Sequence, residues 1–134
     1  MVDLDLIAHL DPVALQGGEI ERLEGFFAGL DDAGWGRPTR CAGWTVRDVL
    51  AHLATAETYH VAGIEGSVAE LMAAAAAADV DGLDAYNRWQ IDLRAGRTAV
   101  EVLEEWRRLS RTMRAGFRRV GATGTVDTMI GPYP

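Results

Sequence analysis

The sequence predicts an all-α protein, an antiparallel helical bundle. Three observations carry that prediction. Apolar residues recur at steps of three and four along most of the chain, which is the period of one buried helix face. Helix-start signatures, a Ser or Thr answered by an acidic residue three positions later, stand just ahead of these runs. No segment alternates polar and apolar residues as a half-buried strand does.

The elements follow in order. Asp11 and Pro12 read as N-cap and first-turn residue of a helix over about 12–31. Its stripe is Ile20, Leu23, Phe27 and Leu30, and Gly17-Gly18 predicts a bend or a late start. "DDAGWGRPTRCAG" reads as a loop, since glycines and a proline interrupt any period. The second helix spans about 45–65. Thr45 and Asp48 form a capping box, and Trp44 is placed to pack on Val49 as a hydrophobic staple. Val46, Val49, Leu50, Leu53 and Ala56 give its buried stripe. Ser67 with Glu70 offers a further capping box ahead of "AELMAAAAAA", a tract of high helix propensity. "LDAYNRWQIDLRAG" predicts a short helix closed near Gly96. The last helix, about 98–120, opens on Thr98 and Glu101. It buries Leu103, Trp106, Ser110, Met113, Phe117 and Val120, and Gly121 ends it. Three long helices can close a small core. A four-helix bundle would need one more after "GPYP", so the apolar stripes of the second and last helices are expected to be partly uncovered. Self-association through that open groove is an expectation.

Composition narrows the class. The 134 residues are 49% hydrophobic, enough for one core, and 1–134 reads as a single domain. The acidic start "MVDLDLIAHLDP" lacks the basic, then apolar, pattern of a secretory signal, and no run reaches membrane-span length. One cysteine cannot make an internal disulfide, which fits a reducing, cytoplasmic setting. The net charge of −7 argues against a nucleic-acid partner. Charge is uneven, with eight arginines against three glutamates between Arg94 and Arg119, read as one basic helix among acidic ones. All 13 basic residues are arginine, a composition associated with GC-rich genomes.

No phosphate loop, paired-cysteine zinc motif or serine-nucleophile motif occurs. The candidates reduce to His52, His60, His9, Cys41 and nearby carboxylates. His52 and His60 lie eight residues apart, about 12 Å along a helix axis, too far to share one metal. His52 sits at the border of the buried stripe. It reads either as a border histidine hydrogen-bonded to its neighbours or as a side chain facing an interhelical groove. Cys41 reads as a small buried hydrophobe, Asp48 as a capping carboxylate, Trp35 and Trp44 as lids on the core, and His9 and His60 as surface or cap residues.

"W…RPTRCAGWTVRDVLAHL", from Trp35 to Leu53, resembles the start of the second helix in the mycothiol-dependent maleylpyruvate isomerase family, one of the DinB-like metal-binding four-helix bundles. The likeness runs more loosely over about 12–120 and includes "YNRWQ". The resemblance implies that His52 is the first ligand of a divalent metal, zinc in most members. It also implies mycothiol as the thiol and a small acid as substrate, in a cytoplasmic, actinobacterial setting. In such an enzyme a metal-bound thiolate adds to a cis-unsaturated diacid. The new single bond rotates, and loss of the thiol leaves the trans isomer. The family's other two ligands, a glutamate and a histidine one turn apart on a fourth helix, match no residue here. The expectation is therefore an N-terminal part, with the remaining ligands beyond Pro134, inactive by itself and with no catalytic residue assigned. The rival readings are a DinB-like metal-dependent hydrolase or thiol transferase, and a non-enzymatic helical interaction module.

Overall fold

The computed structural model describes residues 8–134, and every regular element in that range is a helix. The acidic start, residues 1–7, lies outside the described residues. Helix α1 (Pro12–Ala28) begins where Asp11 predicts. The Asp11 carboxylate accepts from the backbone N–H groups of Val13 and Ala14, both at 3.0 Å. Pro12 takes the first helical position, where its missing N–H leaves no bond unmade. The helix runs through Gly17-Gly18 without a break. Gly17 is buried, and a Cβ there would lie 3.1 Å from the Arg114 guanidinium.

The segment read as loop contains one helical turn, α2 (Asp32–Trp35). Asp31 caps it by accepting from the Gly34 N–H at 2.7 Å, a local bond that outweighs the glycines suggesting loop. The turn seats Trp35 on Phe27, rings stacked at 5.7 Å, and Trp35 is buried as expected of a core lid. Residues 37–46 then double back. The Thr39 N–H donates to the Trp44 carbonyl at 3.0 Å and the Val46 N–H to the Arg37 carbonyl at 2.9 Å. Gly43 closes this turn at φ 78°, a left-handed conformation that a side chain would strain.

Helix α3 (Val46–Glu65) opens on the predicted capping box. Thr45 Oγ1 accepts from the Asp48 N–H at 3.2 Å, and the Asp48 carboxylate accepts from the Thr45 N–H at 2.9 Å. Its buried residues are Leu50, Ala51, Ala54, Thr55, Glu57, Ala62 and Gly63. Of the stripe predicted for it, only Leu50 is fully buried; Val46, Val49, Leu53 and Ala56 are half-buried. The difference arises because α3 is packed from two directions, and hydropathy alone centred the stripe between them.

Gly66, left-handed at φ 74°, ends α3. The predicted Ser67–Glu70 capping box does not form before α4 (Val68–Ala77). The Ser67 N–H is already bonded back to the Ala62 carbonyl, and its backbone is not extended as a capping residue requires. Helix α5 (Leu83–Asp92) follows, then a turn over 93–97. Helix α6 (Ala99–Val120) opens on the Thr98–Glu101 capping box and ends at Gly121, both as predicted.

The central pair is α3 with α6. Helix α1 packs on α6, while α4 and α5 pack on α3. Of the stripe predicted for α6, Leu103, Trp106, Ser110 and Met113 are buried, because α1 covers one side and α3 the other, while Phe117 and Val120 stay half-buried. Leu15 and Phe26 on α1 do remain exposed. A Cβ on Gly116 would lie 2.8 Å from Ile64, so glycine sets how closely α3 and α6 approach. No helix among the described residues is long and apolar enough to cross a membrane.

Arg94 ties these helices together from the turn after α5. Its guanidinium, only 6% exposed, donates to both Glu105 carboxylate oxygens at 3.0 Å and to the Gln90 carbonyl at 2.9 Å. It also reaches Thr55 and Thr58 on α3, each at 3.4 Å. Arg47, on the first turn of α3, donates to the Arg94 and Arg97 carbonyls.

Thr45→Ala is expected to lower unfolding stability by ~1 kcal/mol; an unchanged denaturation midpoint would remove the capping role. Arg94→Met removes the enclosed guanidinium and leaves the half-buried Glu105 with only the more exposed Arg97, and is expected to cost about 2–3 kcal/mol. The double change Arg94→Met/Glu105→Leu should recover part of that loss. A double variant less stable than the single one would show that the ion pair is not what holds this corner.

Candidate functional site

One helix face faces a cleft of ≈ 520 Å³ bounded by α3, α4 and α5, a volume within the range of ligand sites. On α3 the lining positions are His52, Thr55, Ala56, Tyr59 and His60, the i, i+3, i+4, i+7, i+8 set of a single face. Met72, Ala75 and Ala76 of α4 form an apolar wall. Leu83, Tyr86 and Asn87 of α5 form the opposite side. The alanine tract is thus one wall of the cleft, where its small side chains leave the space.

His52 therefore faces an interhelical cleft, one of the two orientations left open by its spacing. The 37–46 turn positions it: the turn delivers Trp44, whose ring lies 5.0 Å from the imidazole and tilted by 50°. Trp44 is half-buried against the core, as expected of a lid. The His52 Nδ1 is enclosed and has no hydrogen-bond partner among the described residues. The other expected arrangement, a border histidine bonded to its neighbours, is not what the structure shows for this nitrogen. Burial holds the His52 pKa below the ordinary histidine value and keeps the ring neutral, the form that donates a lone pair to a metal.

Tyr86 shares the cleft. Burial raises its phenol pKa, and the Arg94 charge opposes that rise only in part, so it stays protonated and able to donate. The tail closes one end of the cleft. Val126 pairs with Tyr133 around a turn at Thr128–Gly131, and the Met129 N–H donates to the Tyr59 hydroxyl at 3.1 Å. The Asp127 N–H holds this small hairpin to α3 through the Gly63 carbonyl at 2.8 Å. Gly63 permits the contact, since a Cβ there would lie 2.7 Å from the Asp127 carbonyl oxygen.

The other candidates separate. His60 is exposed, as expected, yet it lines the same cleft and its ring lies 6.1 Å from Phe117. His9 is exposed. Cys41 is exposed rather than buried, because the 37–46 turn keeps residues 40–43 outside the core. Asp48 is engaged in its cap. Glu57, not singled out from the sequence, is buried on the core side of α3 and accepts from the Ser110 hydroxyl at 3.2 Å. Tyr59, Tyr86, Asn87 and Met129 were also missed. Tyr59 shares His52's helical face and could have been found by spacing; Tyr86 and Asn87 stand in the "YNRWQ" stretch of the resemblance, which marks them without placing them, and Met129 comes from a tail whose packing no local pattern states.

Among the described residues no three His, Cys, Asp or Glu side chains converge as a metal site. One imidazole is short of the about three protein donors that hold zinc, so the described residues do not by themselves fit a resident zinc ion.

The direction of the His52 shift has a stability consequence. Its folded-state pKa lies below the unfolded value, so the unfolded chain takes up the proton first. The neutral ring's contribution is intact above the ordinary histidine pKa and is lost as pH falls through the folded value. In chelator-treated buffer, the melting temperature should fall between neutral pH and about pH 5, and His52→Gln should flatten that fall. An equally steep fall in the variant would assign the acid sensitivity to other groups.

No curated protein and no solved structure matches the chain. The family described as the mycothiol maleylpyruvate isomerase N-terminal domain matches residues 17–134, from the middle of α1 through the hairpin that closes the cleft. Over that span, which is most of its length, the chain belongs to the mycothiol maleylpyruvate isomerase N-terminal domain family.

Proposed function

We propose that this chain is the thiol-handling helical domain of a mycothiol-dependent enzyme that adds a thiol to an activated double bond of a small molecule. The observation that carries the reading is His52, a neutral imidazole on the wall of a ligand-sized cleft, in a chain whose family is named for mycothiol. His52 is the chain's metal donor in this reading, zinc being the divalent metal the family resemblance favours. The other donors come from outside the described residues, and no step is assigned to the metal.

The chain's own residues bind and orient. Trp44 fixes one side of the His52 ring. The apolar wall of α4 keeps water from the bound substrate. Tyr86, held protonated, can donate to a carbonyl oxygen whose negative charge grows as a thiolate adds to the conjugated carbon. Glu57 lies on the core side of α3, where it accepts from Ser110. Isomerisation and thiol transfer share this first addition and differ in whether the thiol leaves again. Activity of this chain without further donors is not expected.

Cobalt(II) titration followed by NMR of the imidazole protons tests the assignment. The His52 signals should broaden before those of His9 and His60, and His52→Gln should abolish that order. Broadening centred on His9, His60 or Cys41 would remove His52 from the role.

A further inference from the structure

We infer that a second cleft, between α1 and α6, is a binding site for the phosphoryl group of a small molecule. It shares no lining residue with the cleft beside His52, so it stands or falls apart from the thiol-addition reading. The cleft measures ≈ 540 Å³. Arg111, Arg114 and Arg118 line its α6 wall, and Gly17, Gly18 and Glu21 line its α1 wall.

The three arginines step by three and four, which sets them on one helix face. Like charges at that spacing disfavour a helix. Helix α6 does nothing to offset them, since Arg107 to Arg119 holds six arginines and no acidic residue. The helix dipole favours cations in the last turn, which includes Arg118 but neither Arg111 nor Arg114. Among the described residues, Arg107 pairs with Glu24 and Glu104, and Arg118 with Asp11, while no carboxylate pairs with Arg111 or Arg114. The α1 wall leaves room in front of this column. Gly17 and Gly18 stand in a helix interior, where glycine is unfavourable relative to alanine. Gly17 has a packing reason: a Cβ there would lie 3.1 Å from the Arg114 guanidinium, which rests over bare backbone. Arg114 Nε donates to the Ser110 carbonyl at 3.4 Å, so its own helix steadies it. Gly18 has no such neighbour. A Cβ there would meet nothing within 4 Å, and the missing side chain keeps the cleft open.

The distribution of charge selects the ligand. The cations stand on the α6 wall, and a carboxylate, Glu21, stands on the α1 wall. A dicarboxylate lying across the cleft would bring its second head to Glu21. A phosphate monoester gathers its charge and three acceptor oxygens in one head. Neighbouring guanidinium forks can meet that head with paired, charge-assisted hydrogen bonds.

The test titrates glycerol 3-phosphate into the protein and follows the Gly17 and Gly18 amide signals by NMR. At ~150 mM chloride, diffuse attraction between exposed charges is largely screened. The shifts should saturate with a dissociation constant of about 1 mM or below, and succinate should bind at least about tenfold more weakly. Arg114→Gln should weaken glycerol 3-phosphate by about tenfold. Arg108→Gln removes the same charge from an exposed position of α6 outside the cleft and should leave binding unchanged. Gly18→Leu keeps every charge and favours the helix, yet fills the cleft. It should abolish binding, read at Gly17, with no fall in melting temperature. Absence of saturation in the unaltered protein would overturn the inference, as would succinate binding equally well. An equal loss in Arg108→Gln, or binding untouched by Gly18→Leu, would reduce the site to attraction by a basic helix surface. Binding seen only after Asp3→Asn/Asp5→Asn would overturn it as well, because the chain's acidic start would then be the anion these arginines hold.

Discussion

The buried guanidinium of Arg94 and the Glu105 carboxylate hold the corner on which the cleft depends. Arg94 follows α5, Glu105 lies on α6, and the remaining Arg94 bonds reach Thr55 and Thr58 on α3. A charge enclosed to this degree is tolerable only when its donors are satisfied, so the three helices are bound to one geometry. Arg47 adds to this by donating to the carbonyls of Arg94 and Arg97 in the turn after α5. The α5 wall carrying Tyr86 and Asn87 stands where it does because Arg94, two residues past the helix end, is fixed on α3 and α6.

Helix α3 then has two duties, divided by face. Leu50, Ala51, Ala54 and Glu57 face the core, and the small residues allow α6 to come close. His52, Ala56, Tyr59 and His60 face the cleft. Thr55 lies on the boundary, buried yet counted among the cleft walls, and shares its hydroxyl with both the helix backbone and Arg94. The structural network and the candidate site therefore meet at one side chain. The orientation of His52 is inherited from core packing and from the Trp44 ring beside it.

The 35–53 segment lies within the span matched by the mycothiol maleylpyruvate isomerase N-terminal domain family, and its local structure has a physical account. Pro38 to Thr45 forms a closed turn, Gly43 supplies its left-handed residue, and Thr45 with Asp48 caps the helix that presents His52. The residues that carry the resemblance are thus largely those that aim one imidazole. The walls of the cleft come from other elements, and their chemistry is free to differ while the aiming segment stays the same. Among the described residues the cleft is lined by histidines but by none of the chain's thirteen arginines.

The sequence by itself determined the helical class, the limits of the three long helices to within three residues, and two of the three predicted capping boxes. These are local properties, fixed by period and by side chains reaching their own backbone. It also marked His52, through spacing and through resemblance. Tertiary structure decided what local pattern could not express. It turned Ser67 away from capping, because its N–H was already engaged by the end of α3. It left Cys41 outside, because the preceding turn carries it off the core. It covered α6 from both sides and shifted the buried face of α3, because a helix packed from two directions buries a wider arc than hydropathy marks. It also brought Tyr86, Asn87 and Met129 to His52 from 34 to 77 residues away in sequence, a convergence that depends on the Arg94–Glu105 pair and the Gly63–Asp127 contact.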